Sequence, residues 1–170
     1  RLRILQVMNE TIGIKNFGEQ WYRRLRTMLE GEQFANLGRF LASERMRTTV
    51  YPERDNVFKA FQETPFNDVK IVILGQDPYH NGSATGLAFA NPNTNMVPQP
   101  SLKRVLLEVE NDVYNGFDFN TVVNFDLTNW ASQGVLLLNT ALTTVAGKAG
   151  SHTKQWAFFT EAVIDALNEG

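Results

Sequence analysis

Residues 69–74, VKIVIL, form an apolar run broken only by Lys70 and rich in branched side chains. Such a run reads as a strand covered on both faces, the signature of a parallel sheet flanked by helices. A second run, VLLL at 135–138, repeats the signal. Parallel strands need a crossover between them. SLKRVLLEVENDV supplies one, with Leu102, Val105, Leu106 and Val109 at helical spacing and Ser101 expected as its N-cap. The pattern of strand, helix, strand, helix then closes with KQWAFFTEAVIDALNE, where Trp156, Phe159, Val163 and Leu167 share a face. We expect a doubly wound α/β fold with a mostly parallel central sheet flanked by helices.

Two amphipathic helices are expected ahead of the sheet. Trp21, Leu25, Met28 and Leu29 mark the first, and Phe34, Leu37, Phe40 and Leu41 mark the second. TTVYPERDN turns around Pro52, VFKAF is a short helix, GLAFA is expected as a short strand, and PNTNMVPQP is a loop stiffened by three prolines. No repeat, low-complexity tract or linker interrupts the chain, which is expected to form a single domain over 1–170.

The 170 residues can bury a substantial core, and no apolar run approaches the roughly 20 residues of a membrane-spanning helix. With no cysteine and only His80 and His152 as imidazoles, neither a disulfide nor a metal cluster is expected. The chain begins at Arg1, and RLRILQVMNE lacks the features of a secretion signal, so a trimmed chain is expected. A net charge of −2 means that any contact with nucleic acid depends on a local patch or on backbone donors.

Chemistry concentrates at the strand ends. VKIVIL runs into Gly75, Gln76, Asp77, Pro78, Tyr79 and His80, and VLLL runs into Asn139 and Thr140. In open α/β sheets, ligands bind in the crevice beyond the carboxyl ends of the strands. If the two strands are neighbours, Asp77 and Asn139 face one cleft. Each residue also has an ordinary use: Asp77 as a turn former before Pro78, His80 as a surface histidine, Asn139 as a strand-closing amide. Tyr79 and Phe89 could serve as packing aromatics, and Ser101 as a helix cap.

Together the motifs GQDPYH, GLAF, PQPSL and GVLLLNT resemble, in the same order, those of the family 1 uracil-DNA glycosylases. The similarity takes in YPERDNVFKAF, AGSH and WAFFTEAVI, and so most of the chain from about Trp21. It implies a repair hydrolase that cleaves the N-glycosidic bond of deoxyuridine in DNA, releasing uracil and leaving an abasic site, with no cofactor and no metal. It implies catalytic roles for Asp77 and His80, which would hold the attacking water. Gln76, Tyr79, Phe89 and Asn139 would bind uracil, and Ser101, behind Pro98 in the proline loop, would seat a DNA phosphate with its hydroxyl and backbone N–H. From their spacing, Ser151 and His152 are expected to add a second backbone contact to phosphate.

The implied partner is uracil-containing DNA, single- or double-stranded, met by a monomer with no membrane association, and a protein inhibitor is a further candidate. The expected location is cytoplasmic for a bacterial or viral protein, and nuclear or mitochondrial for a eukaryotic one. A catalytically silent DNA-binding or scaffold module with the same fold is the main alternative, and a relative acting on mismatched thymine or other damaged bases is a third reading.

Three features depart from the family pattern. Asn81 and Thr85 stand where many members have glycine and histidine, in a loop one residue shorter, and Gln99 lies between the prolines. The sequence also reaches Gly170 before the family's next core strand and its HPSPLS motif. On the resemblance we therefore expect a domain incomplete at its C-terminus, part of a longer protein, and poorly folded or feebly active in isolation.

Overall fold

The computed structural model describes residues 17–92, 97–113 and 124–170. The N-terminal stretch and residues 93–96 of the proline loop lie outside the described residues. Helix α1 (Glu19–Leu29) and helix α2 (Glu32–Arg47) form at the expected periodicity. Trp21, Leu25 and Leu29 are buried from the first, and Phe34, Leu37 and Leu41 from the second. Strand β1 (Val50–Tyr51), helix α3 (Lys59–Glu63) and strand β2 (Ile71–Gly75) follow. Helix α4 (Pro100–Val113), short helix α5 (Thr128–Ala131), strand β3 (Val135–Asn139), strand β4 (Thr144–Val145) and helix α6 (Thr153–Glu169) complete the order.

β2 pairs in parallel with β3, from Ile71 opposite Val135 to Gly75 opposite Asn139. The crossover between them carries α4, as the hydrophobic pattern requires. β1 pairs antiparallel with β4, setting Tyr51 opposite Thr144. These two short strands were not legible as strands in the sequence.

The core is strongly aromatic. Phe17, Phe58, Phe61 and Phe159 meet edge-on or tilted, with ring centroids 4.8–6.3 Å apart. Such pairs add roughly 0.5–1.5 kcal/mol each beyond the area they bury. The Trp21 indole N–H donates to the Thr64 carbonyl at 2.9 Å, so this buried ring leaves no donor unsatisfied.

Three expectations are corrected. VKIVIL is not covered on both faces: Ile71 is 57% and Leu74 48% exposed, because among the described residues β2 has a strand neighbour only on the β3 side. GLAFA is not a strand. Gly86 (φ 93°) and Phe89 (φ 65°) adopt left-handed backbone conformations that interrupt extended pairing, leaving a single ladder-like bond from Ala88 N–H to the Leu137 carbonyl. Ser101 is not the N-cap of α4, because the helix already begins at Pro100, whose fixed φ suits the first helical position.

Candidate active site

Parallel pairing brings the polar strand ends together. Gly75 and Asn139 are register partners, and the chains stay joined beyond the strands. Thr140 N–H donates to the Gly75 carbonyl, and both Ala141 N–H and the Thr140 hydroxyl donate to the Gln76 carbonyl, all at 2.8–2.9 Å. Gly147 N–H donates to the His80 carbonyl at 2.9 Å, fastening the loop after β4 to the loop after β2. Between them opens a cleft of about 380 Å³.

Gln76, Asp77, Tyr79, His80, Phe89, Ser101 and Asn139 all line this cleft, as do Gly75, Pro78 and Ala149. Seven of the ten residues singled out from the sequence thus share one hollow. Pro98, Ser151 and His152 are not among its lining residues. The His152 side chain turns inward, and the residue as a whole is 1% exposed. Ser151 Oγ is likewise engaged internally, accepting from Val145 N–H at 2.8 Å.

Asp77 is half-buried, and its Oδ2 accepts from the Gly150 amide and the Thr144 hydroxyl. Asn139 is 8% exposed. Its Oδ1 lies against the bare backbone of Gly75, where an added Cβ would come within 2.2 Å of it. An amide held in one orientation offers a donor and an acceptor in fixed order, which is what reading one pyrimidine edge requires.

Tyr79 sits in a short chain of hydroxyls. Its phenol donates to the Phe89 carbonyl at 3.1 Å and lies 2.7 Å from Ser101 Oγ, whose proton is free to point at it. Burial pushes the phenol above its ordinary value, and the bond from Ser101 offsets this in part. It therefore remains a neutral donor at physiological pH, its ring fixed against the cleft. Phe89 keeps a left-handed backbone, an arrangement that costs a non-glycine residue of order 1 kcal/mol or more and that clusters at ligand sites.

Behind the cleft runs a buried polar line. The Trp156 indole donates to Thr143 Oγ1 at 2.7 Å, Thr143 Oγ1 lies 2.8 Å from His152 Nδ1, and His152 Nε2 lies 3.5 Å from Glu44. The Thr143 hydroxyl donates to Nδ1 in the tautomer that carries its proton on Nε2, and accepts from Nδ1 in the other. Burial pushes the His152 pKa below its ordinary value, with the Glu44 carboxylate opposing the shift.

Thr144 and Gly150 carry no signal in the sequence of a role beside Asp77. AGSH had drawn attention only to Ser151 and His152. No local pattern marks a threonine in a two-residue strand as a partner of an aspartate 67 residues earlier.

A family model described as the uracil DNA glycosylase superfamily matches residues 61–169. The chain is 46% identical over 151 residues to the uracil-DNA glycosylase of Streptococcus thermophilus, covering 88% of this chain and 66% of that one. It is 42% identical over 162 residues to the Chlamydia muridarum uracil-DNA glycosylase, covering 94% of this chain and 68% of the relative. Among solved structures, mimivirus uracil-DNA glycosylase superposes with a TM-score of 0.81 at 27% identity, over 94% of this chain and 59% of that one. A variant of mimivirus UNG in complex with UGI gives 0.83 at 25% identity, over 94% of this chain and 60% of that one. The chain thus spans about two thirds of the length of the curated relatives and about six tenths of the mimivirus structures.

Proposed function

This chain belongs to the uracil DNA glycosylase superfamily, and from that premise we propose that it hydrolyses the N-glycosidic bond of deoxyuridine in DNA, releasing uracil and leaving an abasic site. The observation that carries this reading is the register of β2 and β3: Gly75 opposite Asn139 sets the Asp77 carboxylate and the Asn139 amide on the same cleft.

A base inside a duplex hides both its glycosidic bond and its hydrogen-bonding edge, so the nucleotide must be flipped out at a cost of a few kcal/mol. Single-stranded DNA avoids part of that cost. In the cleft, Asn139 pairs with N3–H and O4 of uracil, and cytosine presents the opposite order of donor and acceptor. In this reading the Tyr79 ring, on the wall of the cleft, excludes a thymine methyl, Phe89 stacks on the base, and Gln76 offers its backbone N–H to a uracil carbonyl.

As the C–N bond breaks, its electron pair leaves with uracil and positive charge develops on the sugar. The Asp77 carboxylate stabilises that charge and, with His80, holds the water that attacks from the opposite face, so the reaction inverts configuration as in inverting glycosidases. General-base help of this kind is worth about 10²–10⁴ in rate. Ser101 and Pro98, with the backbone at Ser151 and His152, seat the DNA phosphates. The Ser101 N–H lies in the first turn of α4, where amides lack helical acceptors and favour anions.

The protein acts as a monomer and a single domain in this reading. The complex of a mimivirus UNG with UGI supports a protein inhibitor as a second class of partner.

Incubation with a uracil-containing oligonucleotide tests the proposal directly. Free uracil is released by the protein, and release collapses in Asp77→Asn. DNA retained with no release from either protein would favour a binding module instead.

A further inference from the structure

A carboxylate has two oxygens, and the hydrogen bonds that Asp77 makes among the described residues all fall on one. Oδ2 accepts from Gly150 N–H at 2.5 Å and from the Thr144 hydroxyl at 3.2 Å. Neither donor is near Asp77 in sequence. Thr144 is fully buried on β4, fixed by pairing with Tyr51, and Gly150 follows at φ 71° in the turn before α6.

One donor alone would leave the carboxylate able to swing about Oδ2, because the terminal torsion of aspartate is broad and weakly preferred. A second donor from another direction fixes its plane. The supply of protons supports this arrangement. Val145 N–H donates to Ser151 Oγ at 2.8 Å, and Ser151 Oγ lies 3.1 Å from Thr144 Oγ1, so the Ser151 proton can fill a lone pair on the threonine. The single Thr144 proton then has two acceptors in reach, the Lys148 carbonyl at 2.9 Å and Asp77 Oδ2 at 3.2 Å. Distance favours the carbonyl; charge favours the carboxylate, since a bond to an ionised acceptor is roughly twice as strong as a neutral one.

We propose that Thr144, backed by Ser151, is a positioning residue for Asp77: its hydroxyl and the Gly150 amide occupy Oδ2 and fix the carboxylate plane, leaving Oδ1 to face the cleft. This rests on the glycosylase reading for its catalytic consequence, while the geometry stands independently of it. It also gives the Ser151 hydroxyl a task inside the protein.

Thr144→Val removes the hydroxyl while keeping the branched shape, and Thr144→Ser restores it. In single-turnover assays with uracil-containing DNA, Thr144→Val is expected to slow release by about 10- to 100-fold, the scale of a slightly misplaced catalytic group. Affinity for the DNA stays unchanged, Thr144→Ser recovers most of the rate, and Ser151→Ala falls between. A crystal structure of Thr144→Val is expected to show the Asp77 carboxylate rotated away from its wild-type plane.

Wild-type release rates in Thr144→Val, or a serine variant as slow as the valine one, would overturn the proposal. So would an unmoved carboxylate in the Thr144→Val crystal, a result that stands whatever the activity. A wild-type protein that releases no uracil would instead count against the glycosylase reading, and the crystal structure would still decide the role of Thr144.

Discussion

Gly75 and Asn139 face each other across the parallel pair, and the asparagine amide occupies the space that a side chain at residue 75 would need. A Cβ added to Gly75 would lie 2.2 Å from Asn139 Oδ1 and 3.2 Å from the Ala88 Cβ. Gly75→Ala therefore displaces the amide from its seat. Overpacking of this kind costs about 1–3 kcal/mol, and misplacement near 1 Å costs about 10²-fold in rate. Denaturant unfolding and uracil release measured on the same variant are expected to show a modest loss of stability with a much larger loss of activity.

Phe89→Ala tests the proposed stacking of the base on this ring. Base stacking on an aromatic ring is worth about 1–3 kcal/mol, so kcat/KM for uracil-containing DNA is expected to fall by roughly one to two orders of magnitude. Because Phe89 also packs against the core, the melting temperature of the variant must be followed in parallel. An unchanged kcat/KM would remove the ring from the base-binding site.

Acid sensitivity should have a component from His152. Its folded pKa lies below the ordinary value of 6.5, so the unfolded chain takes up the proton more readily. Stability is then complete above about pH 6.5 and declines as the pH falls toward the folded value, since the state that binds more protons gains at low pH. Glu44, facing Nε2, moderates the effect, and Arg45 adds to it. Thermal unfolding between pH 5 and 8 is expected to show a steeper decline for the wild type than for His152→Gln, whose side chain does not titrate. Equal slopes would mean that the imidazole is not held neutral.

Binding to DNA should depend only weakly on salt. No lysine or arginine occurs between Gly75 and Ser101, so under the proposed function this edge of the cleft would grip phosphates through neutral donors and release few counterions. A plot of log affinity against log salt concentration is expected to be shallow. A steep slope would require a basic surface elsewhere.

The sequence by itself determined the two parallel strands, the helical crossover and the two opening helices, because hydrophobic periodicity is a local property that survives without coordinates. It also determined which polar residues close the strands, since Gly75 to His80 and Asn139 to Thr140 follow directly on the apolar runs. Local pattern misled where backbone conformation or neighbours decide. Left-handed Gly86 and Phe89 kept GLAFA from pairing as a strand, and the cover over Ile71 and Leu74 depends on what lies beside β2. Only the tertiary structure brought Asp77 to Thr144 and Gly150, turned His152 inward to Thr143, and linked Tyr79 to Ser101. The physical reason is distance along the chain: a hydrogen bond across 67 or 73 residues leaves no periodic trace in composition or spacing. It exists because β1 pairs with β4 and β2 with β3, and those pairings set the donors beside the carboxylate.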